Sequence, residues 1–144
     1  ARLTAHRFDK AFPELVHSNN FKGAKVYDVL EDAMVLDARS ALKASSWGTF
    51  QIMGMYHTQG GHSTIEDFVA AMYTSGEEHL NAFVNFVQSW RALKKALAGK
   101  DWAEFARMYN GPQYVKNKYD EKLSKAYAKY AGAGATSSTP KAGR

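Results

Sequence analysis

The chain has no cysteine among its 144 residues, so a disulfide framework and a thiolate metal site are both excluded. That fits a reducing compartment. Proline is scarce, three in all, and Pro13 and Pro112 read as breaks in helical pattern. No apolar run approaches the ~20 residues of a spanning helix, and no signal-peptide pattern opens the chain. No G-x-x-x-x-G-K-[ST] loop, G-x-G-x-x-G turn or G-x-S-x-G elbow occurs, which leaves nucleotide-phosphate chemistry and serine-elbow hydrolysis without support. The five histidines, His6, His17, His57, His62 and His79, form no H-x-x-x-H pair. His57 and His62 flank Gly60-Gly61, but two histidines without a third ligand make a weak zinc site. They read as ordinary surface or hydrogen-bonded histidines, and no metal or organic cofactor is implied. There is no internal repeat of 20–50 residues.

What remains is ordinary for one globular domain: 45% apolar residues, 23% charged, and a chain long enough to bury a core. The net charge of +5 is unevenly placed. Residues 1–111 hold 12 Lys/Arg and 12 Asp/Glu, whereas residues 112–144 hold 7 and 2. The basic end suits an anionic partner, such as cell-wall polymer, lipid headgroups or nucleic acid. It reads equally well as a solvated, lysine-rich helix face.

The hydrophobic pattern is helical nearly throughout, and the expected fold class is all-α. Residues 1–25 read as irregular. From Val26 to about Lys43, Tyr27, Leu30, Met34 and Ala41 recur on one stripe. Asp37 falls on that stripe and is the acid of this helix expected to be at least partly buried. Ser63 with Glu66, Ser75 with Glu78, and Asp101 with Glu104 read as capping boxes that open three helices. Leu93 and Leu97 mark a short helix ended near Gly99. After Pro112 one final helix is expected, carrying Val115, Tyr119, Leu123, Ala126 and Tyr130. Residues 132–144 are small, polar and breaker-rich, and read as a disordered tail after a helical domain over 1–131.

Two stretches carry chemistry. In S45-S-W-G-T-F-Q-I-M-G54, Ser45 or Ser46 can cap a helix start, Trp47 offers a flat face, and Gly48 leaves room for close approach. Gln51 adds a planar amide with donor and acceptor. In F105-A-R-M-Y-N-G-P-Q-Y114, Tyr109 and Asn110 end a helix that Gly111-Pro112 stops. Aromatic faces with uncharged amides and hydroxyls are the chemistry that grips a sugar. The plainer reading, that the apolar residues are core, is taken for Phe50 and Phe105; Gln51 and Asn110 are taken as functional.

These stretches resemble the N-acetylmuramidase domain of phage endolysins. The resemblance is carried by Ser46-Trp47-Gly48, Phe50 to Gly54, Phe105-Ala106, Tyr109 to Pro112, Tyr114, Tyr119-Asp120 and Lys122-Leu123. Phe68-Val69, Ala71-Met72-Tyr73, Leu80, Ala82-Phe83 and Asp101-Trp102 also look similar, so the likeness runs from about Ala1 to Tyr127. More distantly, both stretches resemble goose-type lysozymes and lytic transglycosylases. The resemblance implies a lysozyme-like fold and cleavage of peptidoglycan beside N-acetylmuramic acid. It implies that Gln51, Tyr109 and Asn110 position the sugar and that Trp47 lines the cleft. Lys116, Lys118, Lys122, Lys125 and Lys129 would draw the protein to an anionic envelope. A monomer is expected, made in the bacterial cytoplasm without a signal peptide and acting on the cell wall, with no specific nucleic-acid partner.

One departure matters. The family places a glutamate in a V-E-S-x-G-like motif, and a further F-E-x-H-x-F motif, and neither occurs here. Glycoside cleavage needs a carboxyl of raised pKa to protonate the leaving oxygen. By resemblance that acid lies upstream of Ala1; within the chain only Asp37 stands as a substitute. The competing readings are a binding module that keeps the cleft without the acid, and a basic helical binder of nucleic acid or membrane. The first predicts binding without cleavage. The second predicts steep salt dependence and indifference to Gln51 and Asn110.

Overall fold

The computed structural model of the chain describes residues 25–131. The expected irregular opening before it and the expected tail at 132–144 lie outside the described residues. The chain divides into two compact units, one reaching to Phe86 and one starting at Val87. The all-α expectation holds: seven α-helices and one 3₁₀ turn occur among the described residues, with a single hairpin of two-residue strands.

The first unit begins with α1 (Lys25–Ala44), followed by β1 (Ser46–Trp47), β2 (Ile52–Met53) and a 3₁₀ turn (Gly54–Tyr56). Helix α2 (Ile65–Thr74) comes next, then α3 (Gly76–Ser89), most of which belongs to this unit. Helix α1 packs against the 3₁₀ turn and α2. Ile65 and Phe68 on α2 are fully buried, and each such side chain contributes about 1.5–3 kcal/mol by leaving water.

Helix α1 differs from its expectation at Asp37, where φ is −160° and ψ is 100° and the helix is kinked. Its carboxylate accepts the Ser40 backbone N–H at 3.0 Å and the Ser40 hydroxyl at 2.8 Å, capping the segment that follows. Asp37 is therefore exposed, not partly buried as its place on the stripe suggested. The stripe is itself largely open, with Tyr27 and Met34 exposed and Ala41 buried.

Helix α2 starts one residue later than expected. Thr64, not Ser63, is the cap, and its hydroxyl accepts from the Asp67 N–H at 3.1 Å. Glu66 is instead drawn to Arg39 on α1, at 2.6 and 3.3 Å. The cap at Ser75 is found, accepting from the Glu78 N–H at 3.2 Å.

The second unit holds α4 (Arg91–Ala98), α5 (Trp102–Asn110), α6 (Tyr114–Asn117) and α7 (Tyr119–Ala131). Helix α5 packs on α4 and α7, with Leu93, Ala96, Phe105 and Ala106 buried. Asp101 caps α5 as expected, accepting from the Glu104 N–H at 3.1 Å. The Glu104 carboxylate does not return to that cap but pairs with Arg107 at 2.6 and 2.7 Å. Trp102 meets Tyr127 of α7 at 5.4 Å, and Lys100 Nζ lies 4.7 Å from the same ring.

The expected single final helix is two helices. Lys118, with φ 51° and ψ 44°, is left-handed and separates α6 from α7. That conformation costs a lysine ~1–2 kcal/mol; with no glycine at the break, the sequence gives no sign of it. Val115 and Tyr130, placed on the expected apolar stripe, are exposed, while Tyr119 and Leu123 are half-buried.

Candidate functional site

The segment 45–54 is a hairpin clamped to the end of α1. A helix ends with carbonyls that have no partner within it. Here the Ser45 hydroxyl donates to the Ala41 carbonyl at 3.0 Å, and the Trp47 indole N–H donates to the Leu42 carbonyl at 2.9 Å. Ser45 thus closes a helix; it does not open one. Ser46 pairs with Met53 and Trp47 with Ile52, and the Gly54 N–H donates to the Ser45 carbonyl at 2.8 Å. Position 54 must be glycine, because a Cβ there would run into the Leu42 carbonyl.

Residues Gly48 to Gln51 form the hairpin tip. The Gln51 backbone N–H donates to the Gly48 carbonyl at 3.2 Å, and its side-chain Nε2 donates to the same oxygen at 3.0 Å. Gly48 and Gln51 both have positive φ, +68° and +53°. For Gln51 that conformation is uncommon, and the side-chain bond back to Gly48 helps hold it. Gln51 is exposed, with Oε1 and a second N–H remaining on its amide.

The tip rests on helix α3. The Thr49 N–H and hydroxyl both lie against His79 Nδ1, at 3.2 and 2.8 Å, and His79 Nε2 is 2.9 Å from the Met72 carbonyl. Phe50 stacks on Phe83 with centroids 4.4 Å apart and planes at 17°. The open space expected over Gly48 is filled by the protein itself. A Cβ at position 48 would sit 2.6 Å from Met72 Sδ and 3.3 Å from the His79 ring.

In the second unit, Phe105 and Tyr109 stack along α5, 5.6 Å apart and nearly parallel. Phe105 is 3% exposed, in keeping with its assignment to the core. Tyr109 is half-buried, and burial pushes its phenol up to about 12. It is therefore a neutral hydroxyl at physiological pH. Asn110 is the last residue of α5 and is exposed. Gly111, at φ 83° and ψ 179°, turns the chain out of the helix through a region open essentially to glycine alone. An open depression of about 380 Å³ also lies in this unit, lined by Trp102, Asp120, Glu121 and Ser124 among others. Neither Tyr109 nor Asn110 lines it.

Three carboxyls of the described residues are held below their ordinary range. For Asp37 the chief cause is the Ser40 N–H, for Glu66 the Arg39 guanidinium, and for Glu104 the Arg107 guanidinium. A general acid needs the opposite shift, usually from an apolar surrounding. Asp37, the in-chain candidate, is an exposed helix cap stabilised as the anion. Among the described residues no three His, Asp or Glu side chains gather as a metal site.

The sequence profile of the N-acetylmuramidase family, Muramidase, matches residues 2–131. The chain belongs to this family. Its fold is similar to that in the crystal structure of the Burkholderia AP3 phage endolysin, with a TM-score of 0.79 and 39% sequence identity. That match covers 92% of this chain and 52% of the endolysin chain, so the chain spans about half the length of that protein. No curated protein matches it.

In this N-acetylmuramidase family member, the expected sugar-site residues fall in two places. Trp47 and Gln51 stand in the first unit, Tyr109 and Asn110 in the second. Gln51 and Asn110 are exposed amides at the ends of their elements, as binding groups need to be. Trp47 is not the open platform the sequence suggested: it is 8% exposed, with its N–H committed to Leu42. The ring beside it, Tyr73, meets it edge-on at 6.3 Å and is 70% exposed. His79 and Thr49 had no place in the sequence reading of the site. His79 looked like any surface histidine, since its partners lie seven and thirty residues away.

Proposed function

We propose that this chain is the glycan-cleaving domain of a peptidoglycan hydrolase that acts on the cell wall, breaking the strand beside N-acetylmuramic acid. The observation that carries the proposal is the family match across residues 2–131, supported by the phage endolysin fold. The reaction is hydrolysis. A carboxylic acid protonates the bridging oxygen as its bond to the anomeric carbon breaks, and water supplies the hydroxyl that remains on N-acetylmuramic acid. Sugar contacts are assigned to Gln51 in the first unit, and to Tyr109 and Asn110 in the second, each taken by itself, through amide and phenol hydrogen bonds. The proton is assigned to the glutamate of the family's motif, which this sequence does not contain.

The lysine series gives the domain an affinity for anionic envelope surfaces. Lys116, Lys118, Lys122, Lys125 and Lys129 are all exposed. Lys118 and Lys125 share one acid, Glu121, at 3.5 and 3.9 Å. Lys122 and Lys129 lie near the Tyr119 and Tyr130 rings instead. The face therefore keeps an excess of positive charge.

The test is binding of purified peptidoglycan glycan strands, followed by mass analysis of anything released. Wild-type chain binds; Gln51→Ala and Asn110→Ala bind more weakly at unchanged helicity. Hydrolysis would be recognised by products ending in reducing N-acetylmuramic acid, and anhydro ends would show transglycosylation instead. Unchanged affinity in both variants would remove the sugar-site assignment.

A further inference from the structure

We propose that His79 is a positioning residue, holding the hairpin tip so that Gln51 presents its amide in one orientation. The bonding fixes the state of the ring. A carbonyl only accepts, so the 2.9 Å contact with the Met72 carbonyl puts a proton on His79 Nε2. The neutral ring then carries a lone pair on Nδ1, and both Thr49 donors converge there, the N–H at 3.2 Å and the hydroxyl at 2.8 Å. The Thr49 N–H cannot reverse its role, so a proton on Nδ1 would face another proton. Met72 lies near the C-terminal end of α2, where carbonyls lack helical partners. The end of one helix thus selects the tautomer that grips the hairpin.

His79 does not act alone. Phe83, four residues on, shares its face of α3 and stacks on Phe50. Two consecutive tip residues, Thr49 and Phe50, are therefore seated on one helical face, immediately before Gln51. Gly48 permits the seating, because any side chain there would meet the His79 ring. Left to itself, a glutamine at positive φ would readily return to commoner backbone conformations. The seating keeps it in place.

The proposal rests on the reading of Gln51 as a glycan ligand, and its test separates the two. Binding of purified glycan strands is measured for wild type, Gln51→Ala, His79→Leu, His79→Gln and the double variant Gln51→Ala/His79→Leu. Exchange of the Thr49 and Gln51 amides is followed by NMR. His79→Leu is expected to weaken binding about tenfold and to speed both amides. His79→Gln, which keeps a donor for Met72 and an acceptor for Thr49, restores most of both. The double variant binds like Gln51→Ala alone, because His79 acts through Gln51. Losses that multiply, or wild-type binding in His79→Leu where Gln51→Ala is weak, overturn the proposal. If Gln51→Ala binds as wild type, the ligand reading fails instead. The positioning role then stands or falls on whether amide exchange quickens in His79→Leu. Should that variant not fold, Thr49→Val removes the hydroxyl donor alone, and unchanged exchange of the Gln51 amide there overturns the proposal.

Discussion

The indole N–H of Trp47 donates to the Leu42 carbonyl at 2.9 Å, so the hairpin that carries Gln51 also closes the last turn of α1. A side chain that seemed free for a ligand is spent on holding two elements together. Trp47→Phe keeps most of the buried ring and leaves the Leu42 carbonyl without this donor. It is expected to cost about 1–3 kcal/mol, and Trp47→Ala about 3–5 kcal/mol. Urea midpoints at constant m-value measure both. A Trp47→Phe protein as stable as wild type would show that the ring alone matters.

Gly48 has positive φ, and a Cβ there would press on the sulfur of Met72. Gly48→Ala is expected to destabilise by about 1–2 kcal/mol from the backbone conformation alone, with more added where the methionine has to move. In a Met72→Ala background the steric part disappears and the backbone part stays. Thermal melts of the four chains decide this. A Gly48→Ala protein as stable as wild type would mean that the tip does not hold its left-handed turn.

Tyr109 offers a test at high pH. Its phenol has a folded pKa of about 12, against an ordinary 10.0, because burial disfavours the phenolate. The unfolded chain therefore loses its proton first as pH rises. Below pH 10 the group contributes nothing to pH dependence; between 10 and about 12 it lowers stability progressively. Tyr109→Phe is expected to flatten that part of the stability profile. Denaturation curves at pH 9 to 11 measure it, and identical slopes for both proteins would show the phenol to be solvated.

Asp37 separates a structural carboxylate from a catalytic one. Its folded pKa lies below the ordinary 3.8, so its stabilisation is present above that value and is lost as pH falls through the folded pKa. Asp37→Ala is expected to be less stable than wild type at pH 7, and the two are expected to converge in strong acid. Glycan binding is expected to be unchanged. Weaker binding at pH 7 in a folded Asp37→Ala protein would return this residue to the site.

Arg39 and Glu66 join α1 to α2 through an exposed pair, and exposed pairs stabilise little and respond to salt. Arg39→Gln is expected to leave the melting temperature within a few degrees of wild type, with the difference shrinking as salt is added. A large, salt-independent loss would show that the guanidinium packs against α1 as well as pairing.

The local pattern of the chain was enough to place most of its helices and to mark the caps at Ser75 and Asp101, because a helix period and a cap are written within a few consecutive residues. The same is true of the motif around Trp47 to Gly54, which is part of the family's pattern. Local pattern went astray where a distant group competed for a local one. Ser63 and Glu66 made a plausible capping box, but Arg39, 27 residues away, draws off the glutamate, and Thr64 caps the helix. The stripe through Met34 runs on past Asp37, and only the fold shows a break there, although Asp37 followed by Ser40 had the spacing of a cap. Lys118 breaks a helix in which no glycine or proline announces it. The role of His79 was beyond reach for the same reason. Its tautomer depends on the Met72 carbonyl and its grip on Thr49, 30 residues away, and hydrogen bonds over such separations exist only once helices and hairpin have been brought together.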